Sequence, residues 1–486
     1  MPGGLALGSG AAYLATLSPG VRVETDVGEL QFVGYVLGTA HPTGYPLHTM
    51  LSWAFTHAVP LGTVAWRANL LTAVSASAAV AVLYIALRAL GLGWVVSAGG
   101  AVAFAALPSW WRYSVMAEVY SLHVLLMGVG FAGLITWLRG GERRALWAAI
   151  AAGGLALGHH MLIGLCLPGA AWLVWRSRWR NMLTMKDGLW LAGWVGAGVG
   201  QYGYLAWRFA DEEARFVTRT SADLGTLLEY VTGSVFHGYL QWPAAGPWQR
   251  VHDVVADCGL QTAAAVTLGL AAPVLVRDRT VGFALGLTAA LHVGTAVVYG
   301  IADIAPYLFP AAWIGAVAGA SGLHRVASAG RSWGWAALAI ALCLPTWMVA
   351  SNADAAELGQ ARAELRWVER VTGAVGRDAV FVVDRWEQAV ALWAHHHTEG
   401  GRERGLWVHA DKPTPEGVDQ VLGYARGAHV LEVPEQREDI PPRLEVYCIG
   451  LAWARALRAR GVELRPATPG VFRVRVSDGA PSLRSR

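Results

Sequence analysis

An α-helical polytopic membrane bundle followed by a small α/β domain is the fold this sequence predicts. Three observations predict it. The 486 residues are 55% hydrophobic and only 15% charged, against about 25% charged in ordinary soluble proteins. Apolar runs long enough to approach a bilayer's thickness recur along the first 350 residues. After about residue 352, short apolar runs alternate with amphipathic helical ones. The net charge of +4 is too small to point to nucleic acid, and none is expected as a partner.

About eleven spans are expected: 3–18, 65–87, 94–109, 119–138, 145–158, 160–175, 189–207, 259–276, 281–301, 306–322 and 333–350. The first lacks a basic leading region and a clear cleavage site, so it reads as an anchored helix rather than a signal peptide. Alternate loops carry Arg88; Arg139, Arg143 and Arg144; Arg176, Arg178, Arg180 and Lys186; Arg277 and Arg279; Arg325 and Arg331. The intervening loops hold Asp26, Glu29, Glu118, Asp211, Glu212, Glu213 and Asp303. The positive-inside rule then puts the N-terminus inside and the C-terminal domain outside. Trp110, Trp111, Trp172, Trp175, Trp190, Trp207 and Trp347 lie at span ends, where tryptophan forms interfacial belts. The loop 208–258 is too long for a simple connector and is expected to line a site mouth.

The division is therefore residues 1–352, a transmembrane bundle with outer loops, and residues 353–486, an extracytoplasmic α/β domain. In the second, "AVFVVD" reads as a buried strand and "WEQAVALWAHHH" as a helix whose histidine run, 395–397, is a solvated end. It has no GxGxxG or GxxxxGK[ST] loop, so nucleotide binding has no support. The four cysteines show no metal-type spacing.

Charged groups near a bilayer are costly and tend to line cavities where they bind or react. Here they gather at one side. Asp26, Glu29 and His41 follow the first span, and His41 opens the turn "HPTGYP", which also holds Tyr45. "SWWRYSVMAEVYSLH" supplies Arg112, Glu118 and His123; "GHHML" supplies His159 and His160; "YGIADIAPYLFP" supplies Asp303 and Tyr307; His237 lies in the long loop. Each has a plainer reading. Asp26 is a good helix N-cap, and Glu118 suits a helix start. His123 lies about 140° around a helix from Glu118, so the two need not share a site.

"DVGELQFVGYVLGTAHPTGYPL", "AEVYSLHVLL", "LGHHMLIGLCLP", "YVTGSVF" and "IADIAPYLFPA" resemble, in this order, a bacterial multispan membrane family formerly of unknown function. Its animal relative is the protein O-mannosyltransferase of plexin-type receptors. The resemblance implies the GT-C glycosyltransferase fold, a bacterial inner-membrane location and a polyprenyl-phosphate-linked sugar donor, with mannose as the relative's sugar. It implies an extracytoplasmic protein or envelope glycan as acceptor. In GT-C enzymes a catalytic acid lies in the first outer loop, where Asp26 stands, with Glu29 one turn later. This chain departs from the family in carrying "GHH" where relatives often have Asn.

On that reading Asp26 is the general base of an inverting displacement and Glu29 orients sugar or acceptor. His41, Arg112 and His159 or His160 are candidates for the phosphate; Tyr45, Glu118, His123, Asp303 and Tyr307 are further substrate contacts. Carboxylates of this kind can hold Mg²⁺ or Mn²⁺, but a lipid-phosphate leaving group does not require a metal, and none is expected as a certain cofactor. Two other classes share the composition: a flippase for lipid-linked sugars, and a scaffold presenting the α/β domain. The one-sidedness of the acids and the lack of an internal repeat favour the transferase.

Overall fold

The computed structural model describes residues 1–216, 221, 223–244, 246–301, 303–399, 405–426, 431–433, 438–440 and 444–476. The chain starts with α1 (Pro2–Ala15), the short α2 (Val27–Phe32), α3 (Pro46–Ala58) and α4 (Val64–Ala89). Next come α5 (Trp94–Ala105), α6 (Pro108–Ser114), α7 (Tyr120–Gly140) and α8 (Arg143–Leu157). A 3-10 segment, Met161–Cys166, runs into α9 (Leu167–Arg176), followed by α10 (Met185–Gly200) and α11 (Gly203–Ala210). The long loop holds α12 (Leu224–Val231) and α13 (Pro247–Cys258). The bundle closes with α14 (Leu260–Leu270), α15 (Ala272–Leu275), α16 (Arg279–Val298), α17 (Phe309–Ala327) and α18 (Arg331–Asn352).

Local chemistry fixes many of these starts. Proline in the first turn opens α1, α3, α6, α9, α13 and α17, where its missing N–H costs nothing. The Asp278 carboxylate caps α16 by accepting from the Thr280 and Val281 N–H groups. Small residues then let backbones touch. A Cβ at Gly315 would meet the Ala265 carbonyl at 1.8 Å, and one at Gly99 the Ala341 carbonyl at 2.3 Å. That closeness is how helices pack where lipid supplies no hydrophobic drive.

Among the described residues, four helices, α4, α7, α16 and α18, are long and apolar enough to cross a membrane by length and composition. Other expected spans fall on shorter apolar helices, α5 and α14 among them. The apolar window of α18 is only 22% buried, so its greasy surface faces outward, as a lipid-facing helix does. Trp175, Trp207 and Trp347 are more than half exposed, in keeping with a belt. Trp110 and Trp111 are not. They are buried, their indoles donating to Tyr13 Oη at 3.0 Å and Thr16 Oγ1 at 2.9 Å, which ties α6 to α1.

The remainder comprises α19 (Leu358–Gly373), β1 (Ala379–Val383), α20 (Trp386–Thr398), β2 (Leu406–Ala410), α21 (Pro415–Ala425), β3 (Leu431–Val433), β4 (Glu438–Ile440), β5 (Glu445–Ile449), α22 (Leu451–Ala459), β6 (Glu463–Thr468) and β7 (Val471–Arg475). The strand order is β2-β1-β5-β7-β6, parallel across the first three and antiparallel for the rest, with β3 and β4 a separate pair. Every residue of β1 is buried, as a central parallel strand requires. The histidine run corrects the sequence reading of a solvated helix end. His396 is buried and bonded to the Leu406 carbonyl, and His397 stacks on Phe32 of α2 at 5.1 Å. α20 is packed on the bundle.

Candidate active site

The site is built on α2 and the turn after it. Asp26 precedes α2 but makes no capping bond to it, so its carboxylate is free to reach elsewhere. Its Oδ1 accepts from the Trp386 indole at 2.8 Å, and its Oδ2 lies 3.5 Å from His41 Nε2. Glu29, one turn on, has no exposed surface. Both its oxygens face His41: Oε1 accepts the backbone N–H at 3.0 Å and Oε2 lies 2.5 Å from Nδ1. The Tyr45 hydroxyl completes the group, 3.1 Å from His41 Nε2. The turn between them needs a left-handed residue at Gly44, φ +90°, where a Cβ would also meet Leu205 at 2.7 Å.

Burial alone would make His41 harder to protonate. The Asp26 and Glu29 charges outweigh it and raise the imidazole pKa to about 9. His41 is therefore a cation at neutral pH, held between two carboxylates. The three ligand atoms of Asp26, Glu29 and His41 lie within 4.8 Å of one another, close enough to hold a divalent ion once His41 gives up its proton.

A wider acidic shell surrounds this core. Glu118 is buried, and burial, then Asp303, Asp26 and Glu24, push its carboxyl well above the usual range. Burial likewise raises Asp303 to about 7, opposed by its hydrogen bond from the Tyr113 hydroxyl. Tyr307 lies 5.7 Å from Tyr120 ring to ring, and His160 sits 5.4 Å from both Tyr45 and Tyr120. Phe236 of the long loop reaches within 6.4 Å of His41, and Tyr230 donates its hydroxyl to the Ala40 carbonyl. That loop does border the site.

Other sequence candidates go elsewhere. Arg112 is engaged by Glu24 and by Glu357, the latter at 3.1 Å, so its charge is already met by protein carboxylates. His159 lies 2.9 Å from the Val119 carbonyl through Nε2. His123 turns toward His160 and His292, at 5.6 and 6.5 Å between rings. His237 is exposed. Three participants escaped the sequence reading. Arg22 and Glu24 flank the motif in "VRVETD", visible as charges in an apolar loop. Buried Arg22 pairs with Glu24 and with Glu364 of α19, the latter at 2.6 Å. Trp386, 360 residues from Asp26, left no signal at all.

The fold is that of the solved ArnT structures, in keeping with the GT-C type that the motif resemblance implies. The chain superposes on ArnT from Cupriavidus metallidurans in the apo state with a TM-score of 0.60 and 12% identity, covering 96% of this chain and 95% of that one. The same enzyme bound to undecaprenyl phosphate gives 0.60 over 99% and 98%. More particularly, residues 26–183 match the family model of the protein O-mannosyl-transferase TMEM260 N-terminal domain. The chain is 34% identical to mouse protein O-mannosyl-transferase TMEM260 over 188 residues, 37% of this chain and 26% of that one. It is 28% identical over 181 residues to the Dictyostelium discoideum protein of the same name, 34% of this chain and 21% of that one. It thus spans about a quarter of the length of these curated relatives. The resemblance read from the motifs is the one these comparisons return, and the matched stretch holds Asp26, Glu29, His41 and both GHH histidines.

Proposed function

We propose that this protein is a membrane glycosyltransferase that moves a sugar, mannose by analogy with the relatives' name, from a polyprenyl phosphate to a hydroxyl of a protein or envelope glycan outside the cytoplasm. The arrangement of Asp26 carries the reading. It is the partly exposed member of a cluster whose other carboxylate, Glu29, is sealed. An apolar cavity of about 550 Å³ supports it. That cavity runs between α5, α14, α17 and α18 from Val96 to Leu107, just before the helix bearing Tyr113. Its length, roughly 16 Å along a helix, suits part of a prenyl tail, and ArnT's undecaprenyl phosphate complex fits the same reading.

Asp26 takes the proton from the acceptor hydroxyl as its oxygen attacks the anomeric carbon. The bond to the phosphate oxygen breaks, and the electron pair leaves with the polyprenyl phosphate. His41, cationic through Asp26 and Glu29, offsets charge developing on the phosphate. Glu29 holds His41 rather than touching sugar. Trp386 fixes the orientation of the Asp26 carboxylate, so the sheet domain braces the site and presents the acceptor. The positive-inside pattern supports an outward orientation for this end of the bundle.

Membranes carrying the protein should consume polyprenyl-phosphate mannose and release the free lipid phosphate. Asp26→Asn should lower that rate by about 10²–10⁴-fold while donor binding persists. Donor moved across the membrane intact would refute the transferase; an unchanged rate in Asp26→Asn would refute the base.

A further inference from the structure

Apart from the acidic site, three helices bring together a second set of ligating side chains. His123 comes from the first turn of α7, Cys166 from the end of the 3-10 segment before α9, and His292 from α16. Their donor atoms lie within 4.8 Å of one another, and all three residues are buried. Among the described residues, neither ring nitrogen of His123 has a hydrogen-bond partner, and neither does Nε2 of His292. The Nδ1 of His292 lies 2.9 Å from the Thr288 carbonyl, which fixes the proton there and leaves Nε2 as a lone pair. The unpartnered ring nitrogens of His123 and His292, beside a buried thiol, form a set that hydrogen bonding among the described residues does not satisfy.

We propose that His123, Cys166 and His292 bind one soft d¹⁰ metal ion, Zn²⁺ or Cu⁺, as its three protein ligands. Imidazole and thiolate select such ions over Mg²⁺ and Mn²⁺, which prefer the oxygen-rich set at Asp26 and Glu29. Ligands at the ~2.0–2.3 Å bond lengths of zinc sit roughly 3.3–3.8 Å apart, so donors within 4.8 Å need to close by about 1.5 Å at most. On binding, Cys166 exchanges its proton for the metal, and the proton leaves to solvent. With no carboxylate and no exposed member, the site is one that clips α7, the segment before α9 and α16 together.

The full chain, purified in detergent, should carry one zinc or copper per molecule by elemental analysis, which also tells the two ions apart. Reloaded with Co²⁺, it should show thiolate-to-cobalt charge-transfer absorption. That band should vanish in Cys166→Ala and persist in Glu29→Gln. Where Cys166→Ala does not fold, X-ray absorption of the wild-type protein decides, with sulfur and nitrogen expected around the metal. A metal-free protein that shows no thiolate band with Co²⁺, or a metal ringed by oxygen and dependent on Glu29, would overturn the site.

Discussion

The loop around α2 and the helix α20 meet over the same few residues, yet they contribute in opposite ways. The loop brings charge: Arg22, Glu24, Asp26, Glu29 and His41 all lie within 20 positions. α20 brings almost none to the contact. It offers the Trp386 indole, the His397 ring and bare backbone at Val390 and Ala391, against which Gly28 is pressed. One side holds the reactive groups in mutual balance, and the other sets where they stand. A site can thus be chemically complete in one segment and geometrically complete only with another.

The most damaging change should be at Arg22, which ties the charged loop to α19, the helix before β1 and α20. Arg22→Ala leaves Glu24 and Glu364 without the cation that joins the loop to α19, and breaking a buried pair costs about 3–5 kcal/mol. Thermal unfolding of the detergent-solubilised protein measures it; a change below about 1 kcal/mol would mean the pair behaves as a surface bridge. Gly28→Ala is a subtler wedge. The added Cβ would meet Val390 and Ala391 backbone at 2.8 Å, and overpacking of this kind costs about 1–3 kcal/mol. Transfer should fall while donor binding holds, whereas a parallel loss of both would make α20 part of the donor site.

His41 sharpens the electrostatic half. Its folded pKa of about 9 lies above the ordinary 6.5, so its stabilisation is complete below pH 6.5 and fades as pH rises through 9. The unfolding midpoint should drop across that window, and His41→Asn should flatten the drop. Trp386→Phe is the mildest change. It removes one hydrogen bond to a partly exposed carboxylate, worth about 1 kcal/mol, so the rate should fall by no more than about tenfold. A larger fall would show the indole touching substrate.

The bundle and the Asp26–Glu29–His41 group were legible because their causes are local. Apolar runs report burial in lipid, and acids beside a His-Pro-x-Gly turn must be near one another whatever the fold. The sheet domain was legible for the same reason, from the alternation of its elements. What stayed hidden depends on distant pairing. Arg112 looked like a phosphate ligand, but Glu24 and Glu357 already satisfy it. Trp110 and Trp111 looked like belt residues because tryptophan's composition signal is the same at an interface and in a core. His123, Cys166 and His292 have no common spacing, and only the packing of three helices assembles them.

The bond between Trp386 and Asp26 also has a clock in it. At about 5–20 residues per second, the indole is synthesised roughly 20–70 s after the carboxylate it orients. During that interval the amino-terminal helices are already in the membrane, in reach of lipid, while the partner helix does not yet exist. A chain that stalls or is cut before α20 presents an unbraced aspartate. Full activity therefore requires a chain synthesised at least through α20.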